Sequence, residues 1–191
     1  MVENLQFTDN YDNSFLNEHF AKIISEQINK CYQCGKCTAG CPVAFAMDNP
    51  PRLIIRLLQL GYEQEALKSK SVWLCSTCET CSARCPKGVD IPRVMEAVRI
   101  LAKNAGIVSE KNINLFNDLF LKSVERTGRI NEALLMMRFN IFSIQPFKDI
   151  LAGGKLFING KLPLFPHGIE KPGEMQQLFA RVREKEKGGG F

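Results

Sequence analysis

Apolar residues recur along most of this chain at the three- and four-residue intervals of an amphipathic helix, and no segment shows several strands in series. Phe15, Phe20, Ile23, Ile24 and Ile28 predict a first helix over residues 14–29 (SFLNEHFAKIISEQIN). A second follows at Asn49 and Pro50, a suitable N-cap and a first helical residue whose missing N–H costs nothing. Its stripe is Leu53, Ile54, Leu57 and Leu58, and Gly61 supplies the stop. A short piece over 63–68 leads into Val72-Trp73-Leu74. Asp90 caps a helix reaching Ala105, with Val94, Met95, Val98, Leu101 and Ala102 on its inward face and Gly106 at its end. Residues 109–127 repeat the pattern with Leu115, Phe116, Leu119, Phe120 and Val124, closed by Gly128. Asn131 caps a short helix to Arg138, and 146–152 predict another.

The pattern breaks over 153–173, which hold five glycines and three prolines around KLFINGKLPLF, the signature of a small hairpin or extended arm. A last amphipathic helix over 174–187, with Met175, Leu178, Phe179 and Val182, runs into a terminal GGGF expected to be disordered. The expected class is all-α, with residues 1–127 forming one domain and 128–191 a C-terminal set of helices and Gly/Pro-rich arm for subunit docking.

Composition changes the picture little: 45% hydrophobic and 24% charged residues are ordinary for a globular protein of 191 residues. No apolar run exceeds five residues, against the roughly 20 that span a bilayer. The N-terminal residues lack the basic and apolar regions of a secretory signal, so the expected location is the cytoplasm.

The cysteines change it a great deal. All eight lie between Cys31 and Cys85, where a reducing compartment favours metal ligands over disulfides. They form two blocks, Cys31-x2-Cys34-x2-Cys37-x3-Cys41-Pro42 and Cys75-x2-Cys78-x2-Cys81-x3-Cys85-Pro86. Each matches the bacterial ferredoxin run, whose fourth cysteine serves the other cluster. Three cysteines at such intervals let one loop wrap a cubane with its amides turned to the sulfurs. Small neighbours such as Gly35, Gly40, Ala39 and Ala83 allow close approach. The expected cofactors are two [4Fe–4S] clusters, one on Cys31, Cys34, Cys37 and Cys85, the other on Cys75, Cys78, Cys81 and Cys41. Paired structural zinc sites favour separated C-x2-C pairs instead. The spacing leaves open whether the clusters only staple the fold.

The formal charge of +5 assumes neutral thiols. Eight thiolates around two [4Fe–4S]²⁺ cores would bring the holoprotein to roughly +1, so the charge does not point to nucleic acid. Lys and Arg are dispersed, and the densest run, Arg181 to Lys187, is mixed with acids. Trp73 reads equally as a cluster shield or as core. Lys36, Arg84 and Lys87 read as solvated charge, Met136 and Met137 as core filler, and the isolated His19 and His167 carry no role. No glycine-rich nucleotide loop, Ser/His/Asp arrangement or acid–base pair suggests a substrate pocket, and no catalytic residue is expected.

Two cysteine blocks separated by helix resemble the α-helical ferredoxin family. Within it, CYQCGKCTAGCPVA and WLCSTCETCSARCPKGVDIPRVMEAVR are similar to the C subunit of heterodisulfide reductase over about residues 30–107. The resemblance implies an electron-transfer subunit of an oxidoreductase, itself non-catalytic. It would relay single electrons from a flavin-containing, bifurcating A subunit to the disulfide-reducing B subunit, with all eight cysteines as ligands. The CCG motifs of the B subunit are absent. A related alternative is the iron–sulfur subunit of a succinate/fumarate or anaerobic glycerol-3-phosphate dehydrogenase. The first would need a preceding [2Fe–2S] domain and the second a following CCG domain.

Overall fold

The computed structural model describes residues 14–145 and 168–188, with Gly154 and Asn159, leaving aside the side chains of 14–19 and 186–188. The expected helix at 146–152, most of the 153–173 arm, His167 and the terminal residues lie outside this description, as does the His19 side chain. Helices run in the order α1 (Ser14–Ile28), α2 (Lys36–Ala39), a 3-10 turn (Ala44–Ala46), α3 (Pro51–Gln59), α4 (Glu63–Lys68) and α5 (Ser71–Leu74). There follow α6 (Thr80–Ala83), α7 (Ile91–Asn104), α8 (Lys111–Thr127), α9 (Glu132–Phe142) and α10 (Pro172–Gly188). No strand occurs among the described residues, and the class is all-α. No helix among them is long and apolar enough to cross a membrane.

The chain forms two compact units, Met1–Glu110 and Lys111–Phe191. The helix expected at the end of a 1–127 domain therefore belongs to the second unit, where α8 packs against α9 and α10.

In the first unit α7 is the central helix, touched by α1, α3, α4, α5 and α6. Its start is set locally: the Asp90 carboxylate accepts the Arg93 N–H at 3.2 Å, and the Gln27 amide oxygen of α1 accepts the Asp90 N–H at 3.0 Å. Val94, Met95, Val98, Leu101 and Ala102 are buried as expected, and close on Ile24 and Ile28 of α1, Ile54, Ile55 and Leu58 of α3, and Val72 of α5. Each such aliphatic side chain contributes about 1.5–3 kcal/mol when fully buried.

Two details of α3 differ from expectation. Pro50 is the extended N-cap and Pro51 the first helical residue, one position later than the sequence suggests. Ile55 is fully buried while Leu53 is 38% exposed, because α3 is packed by α1, α2, α4 and α7 and its buried face turns to meet them. Asn49 does not cap α3. Its backbone N–H donates to the Asp48 carboxylate at 2.8 Å and the Ser71 hydroxyl at 3.0 Å, and its side-chain amide to the Ser69 hydroxyl at 3.3 Å.

Asp48 pins the segment after the first cysteine block to the start of α5. Its carboxylate accepts the Ser69 and Ser71 hydroxyls at 2.7 and 2.6 Å, and the Lys70 and Ser71 amides at 2.9 and 3.1 Å. Burial opposes the charge, yet the Ser71 and Ser69 hydroxyls and the Lys70 and Asn49 amides hold the carboxyl well below the usual aspartate range.

In the second unit Asn131 caps α9 by accepting the Leu134 N–H at 2.8 Å, and Phe116 of α8 meets Phe139 of α9 edge-on with centroids 5.7 Å apart. The Arg183 guanidinium of α10 donates to the Glu125 carboxylate of α8 at 2.6 Å. α9 runs to Phe142, past the expected end at Arg138. Met136 and Met137 are 40% and 57% exposed, so they are not core filler. With apolar residues at nearly every position, one helix cannot turn them all inward.

Candidate metal centre

Each cysteine block folds by the same local device. In the first, Gln33 and Gly35 have φ of 65° and 83°; in the second, Thr77 and Glu79 have φ of 49° and 60°. Two left-handed residues separated by a cysteine curl the chain tightly enough to bring three thiols around one space. One helical turn follows in each block, α2 and α6, with Ala39 N–H donating to Gly35 O at 3.1 Å and Ala83 N–H to Glu79 O at 3.0 Å. The turns pack on each other, and the Thr38 hydroxyl accepts the Arg52 N–H of α3 at 3.2 Å.

Two cavities result. One is walled by Cys31, Cys34, Cys37 and Cys85 with Lys36, Arg52 and Val89. The other is walled by Cys41, Cys75, Cys78 and Cys81 with Val43, Met47 and Met95. Each gathers three cysteines of one block and the fourth of the other, and Ile91, the first residue of α7, lines both. Among the described residues no three His, Cys, Asp or Glu side chains converge to hold a single ion.

The sulfurs have donors around them. In the first cavity the Gln33 N–H lies 3.4 Å from Cys31 Sγ, the Gln33 side-chain amide 3.6 Å from the same sulfur, and the Val89 N–H 3.3 Å from Cys85 Sγ. The Gln33 amide is held in turn by the Gln59 oxygen at 3.1 Å, while the Gln59 nitrogen donates to Ile28 O and Cys31 O, both at 2.8 Å. In the second, the Cys78 thiol donates to the Thr80 hydroxyl at 3.4 Å.

The exposed Cys34 thiol is lowered by the Lys36 amide, and the exposed Cys78 thiol by the Thr80 hydroxyl. Burial raises the Cys37 and Cys75 thiols and pushes Cys81 up to about 11. Buried thiols of this kind ionise when a cation arrives to offset the charge, so metal loading drives the proton release. Four thiolates per cavity with N–H donors at the sulfurs are the donor set of an iron–sulfur cubane.

The sequence reading missed Gln33, Gln59 and Asp48. Tyr32 was missed too; it is exposed beside Cys34, and a hydrogen bond with that thiol raises its hydroxyl. For Gln33 and Tyr32 the available signal was the inequality of residues at matching offsets in the two blocks; Gln59 and Asp48 lie outside the blocks and carried none. Trp73 is buried but lines neither cavity, and its Nε1 has no hydrogen-bond partner among the described residues, which makes it core. Lys36 lines the first cavity, Arg84 lies over Gly40, and Lys87 is exposed.

Comparison with known proteins agrees with this donor set. Residues 27–89 match the family model of the 4Fe-4S dicluster domain, and the chain binds two [4Fe–4S] clusters. It is 38% identical over 114 residues to the iron–sulfur C subunit of the CoB–CoM heterodisulfide reductase of Methanopyrus kandleri, covering 60% of this chain and 58% of that protein. It is 31% identical over 141 residues to the C subunit of the H2:CoB–CoM heterodisulfide,ferredoxin reductase of Methanothermobacter thermautotrophicus, covering 71% and 72%. A third relative, the C subunit of the ferredoxin:CoB–CoM heterodisulfide reductase of Methanosarcina acetivorans, is 37% identical over 84 residues, 44% of this chain and 34% of its own. With a shared dicluster segment and a match across most of the Methanothermobacter protein, this chain belongs to the family of iron–sulfur C subunits of heterodisulfide reductases.

Proposed function

We propose that this chain is the electron relay of a heterodisulfide reductase-type complex, taking single electrons from a flavin-containing, bifurcating A-like subunit and passing them to a disulfide-reducing, CCG-containing B-like subunit in the cytoplasm. The chain performs no bond chemistry of its own. Each [4Fe–4S] cluster, when bound, supplies a one-electron couple. Everything else is the work of this chain's residues. Cys31, Cys34, Cys37 and Cys85 hold one cluster, and Cys75, Cys78, Cys81 and Cys41 hold the other. The loop amides and Gln33 stabilise negative charge at the sulfurs, and Val43, Met47, Ile91 and Met95 keep water from the second site.

The observation that carries this reading is the sharing of walls: each four-cysteine cavity borrows its fourth cysteine from the opposite block, and Ile91 borders both. Two one-electron sites are thereby held side by side, as a relay requires and a pair of staples does not. Residues 128–191 serve, on this reading, as the docking surface for the partner subunits.

Gentle anaerobic purification from the native host tests it. A flavoprotein and a CCG-containing protein are expected to accompany the chain. Its recovery alone, or with a quinone-linked dehydrogenase, would overturn the assignment.

A further inference from the structure

The two cysteine loops have the same backbone and different side chains, and this turns the molecule into its own control. Left-handed residues fall at Gln33 and Gly35 in one loop and at Thr77 and Glu79 in the other, so the loops superpose offset by offset. Tyr32 corresponds to Ser76, Gln33 to Thr77, Gly35 to Glu79 and Lys36 to Thr80. Gly35 in place of Glu79 and Lys36 in place of Thr80 make the first loop less negative, and Gln33 in place of Thr77 adds an amide donor, while Tyr32 and Ser76 each carry one neutral hydroxyl.

The first cavity has Lys36 and Arg52 in its wall. The Gln33 side-chain amide points at Cys31 Sγ from 3.6 Å and is kept there by Gln59, itself anchored on two backbone carbonyls. The second cavity has no cation in its wall, and Val43, Met47, Pro51, Ile91, Pro92 and Met95 surround its cysteines. Two cations act in the other direction or in neither. Arg99 of α7 is close enough to favour the Cys75 thiolate. Arg84 reaches across to Gly40, where a Cβ would stand 2.7 Å from its Nη1, so its charge falls at the junction of the loops.

A [4Fe–4S] core with four thiolates goes from a net charge of 2− to 3− on taking one electron, with no proton required. N–H donors and cations at the sulfurs favour the more negative form, and an apolar wall disfavours it. We propose that Gln33, held by Gln59, makes the cluster of the first loop the more easily reduced of the two, so that electrons run from the second loop to the first. This rests on the relay reading above. An electron delivered by a reduced flavin of the partner enters at the second-loop cluster, which is then reoxidised as the first-loop cluster is reduced. Gln33 donates to a ligand sulfur; Gln59 is a positioning residue that acts through it.

The test is an anaerobic redox titration of the full-length holoprotein followed by electron paramagnetic resonance. The two signals are assigned beforehand with Cys34→Ser and Cys78→Ser. In the native protein the first-loop signal is expected to develop at the higher potential. Gln33→Met, similar in shape and without the amide, is expected to lower the reduced-to-oxidised ratio of that cluster about tenfold, equivalent to about 59 mV for one electron. Gln33→Glu is expected to lower it further, and Gln59→Met to move it in the same direction. The second-loop signal stays in place throughout. The reverse order in the native protein, or equal shifts or none at both clusters in Gln33→Met, would overturn the proposal. Iron and sulfide for fewer than two clusters would instead overturn the reading beneath it. Should Gln59→Met fail to load, the two Gln33 variants carry the test.

Discussion

Asp48 shows how much of this fold hangs on one side chain outside the motif. Its carboxylate satisfies the Ser69 and Ser71 hydroxyls, both on buried residues, and two amides at the start of α5. Asp48→Ala leaves those donors unpaired and is expected to cost about 2 kcal/mol, seen as a lower apparent Tm by far-ultraviolet circular dichroism. Since the native pKa is depressed, the stabilisation is complete above the ordinary aspartate value of about 3.9 and is lost as pH falls through the native one. The Tm gap should be full at pH 5 and narrow in stronger acid; a gap independent of pH would contradict the role of the charge. Glu63 has the opposite sign. Burial raises its carboxyl to about 7, so ionisation works against the fold, and stability falls as pH rises from the unfolded value of about 4.3 toward neutrality. Glu63→Gln is expected to match the native Tm below about pH 4, where the carboxyl is protonated in both states, and to exceed it at pH 8, and equal values at pH 8 would count against it. The eight cysteines were legible because ligand spacing is local. Asp48 was not, because its serine partners stand 21 and 23 residues away, and nothing in its neighbourhood distinguishes it from a solvated acid.

At the scale of the element, sequence and structure agree best where a start signal and a stop signal bracket a clear stripe. The helix α7 has Asp90 before it, Gly106 with φ of 64° after it, and an inward face buried as its periodicity implies. Agreement weakens where neighbours decide: which α3 residues are buried depends on four packed helices, and α9, apolar nearly all round, offers no stripe to read. Gly128 ends α8 with φ of 75°, and a Cβ there would overlap the Ile169 side chain. Gly128→Ala is therefore expected to lower the stability of the second unit by more than the ~0.4–1 kcal/mol scale of favourable glycine replacements, measured by urea unfolding. The visible absorbance of the clusters should remain unchanged, since both cysteine loops lie in the other unit. Loss of cluster absorbance would show that the units are coupled.

At the scale of the molecule, the division after Glu110 gathers both cluster loops into one unit. Sequence alone drew the border later because the glycine stop at 128 is conspicuous and the break before Lys111 is not. A chain truncated after Gly153 is expected to retain iron for both clusters while losing co-purification with its partners; loss of iron would place the tail in the cluster core. The relay proposal rests on an exchange of fourth cysteines between blocks, and one spectrum tests it most directly. In dithionite-reduced Cys41→Ser, the paramagnetic resonance signal of the cluster held by Cys75, Cys78 and Cys81 is expected to change while that of the first loop stays native. A change in the first-loop signal, with the second unaltered, would mean that each block keeps its own fourth cysteine and that the exchange does not exist.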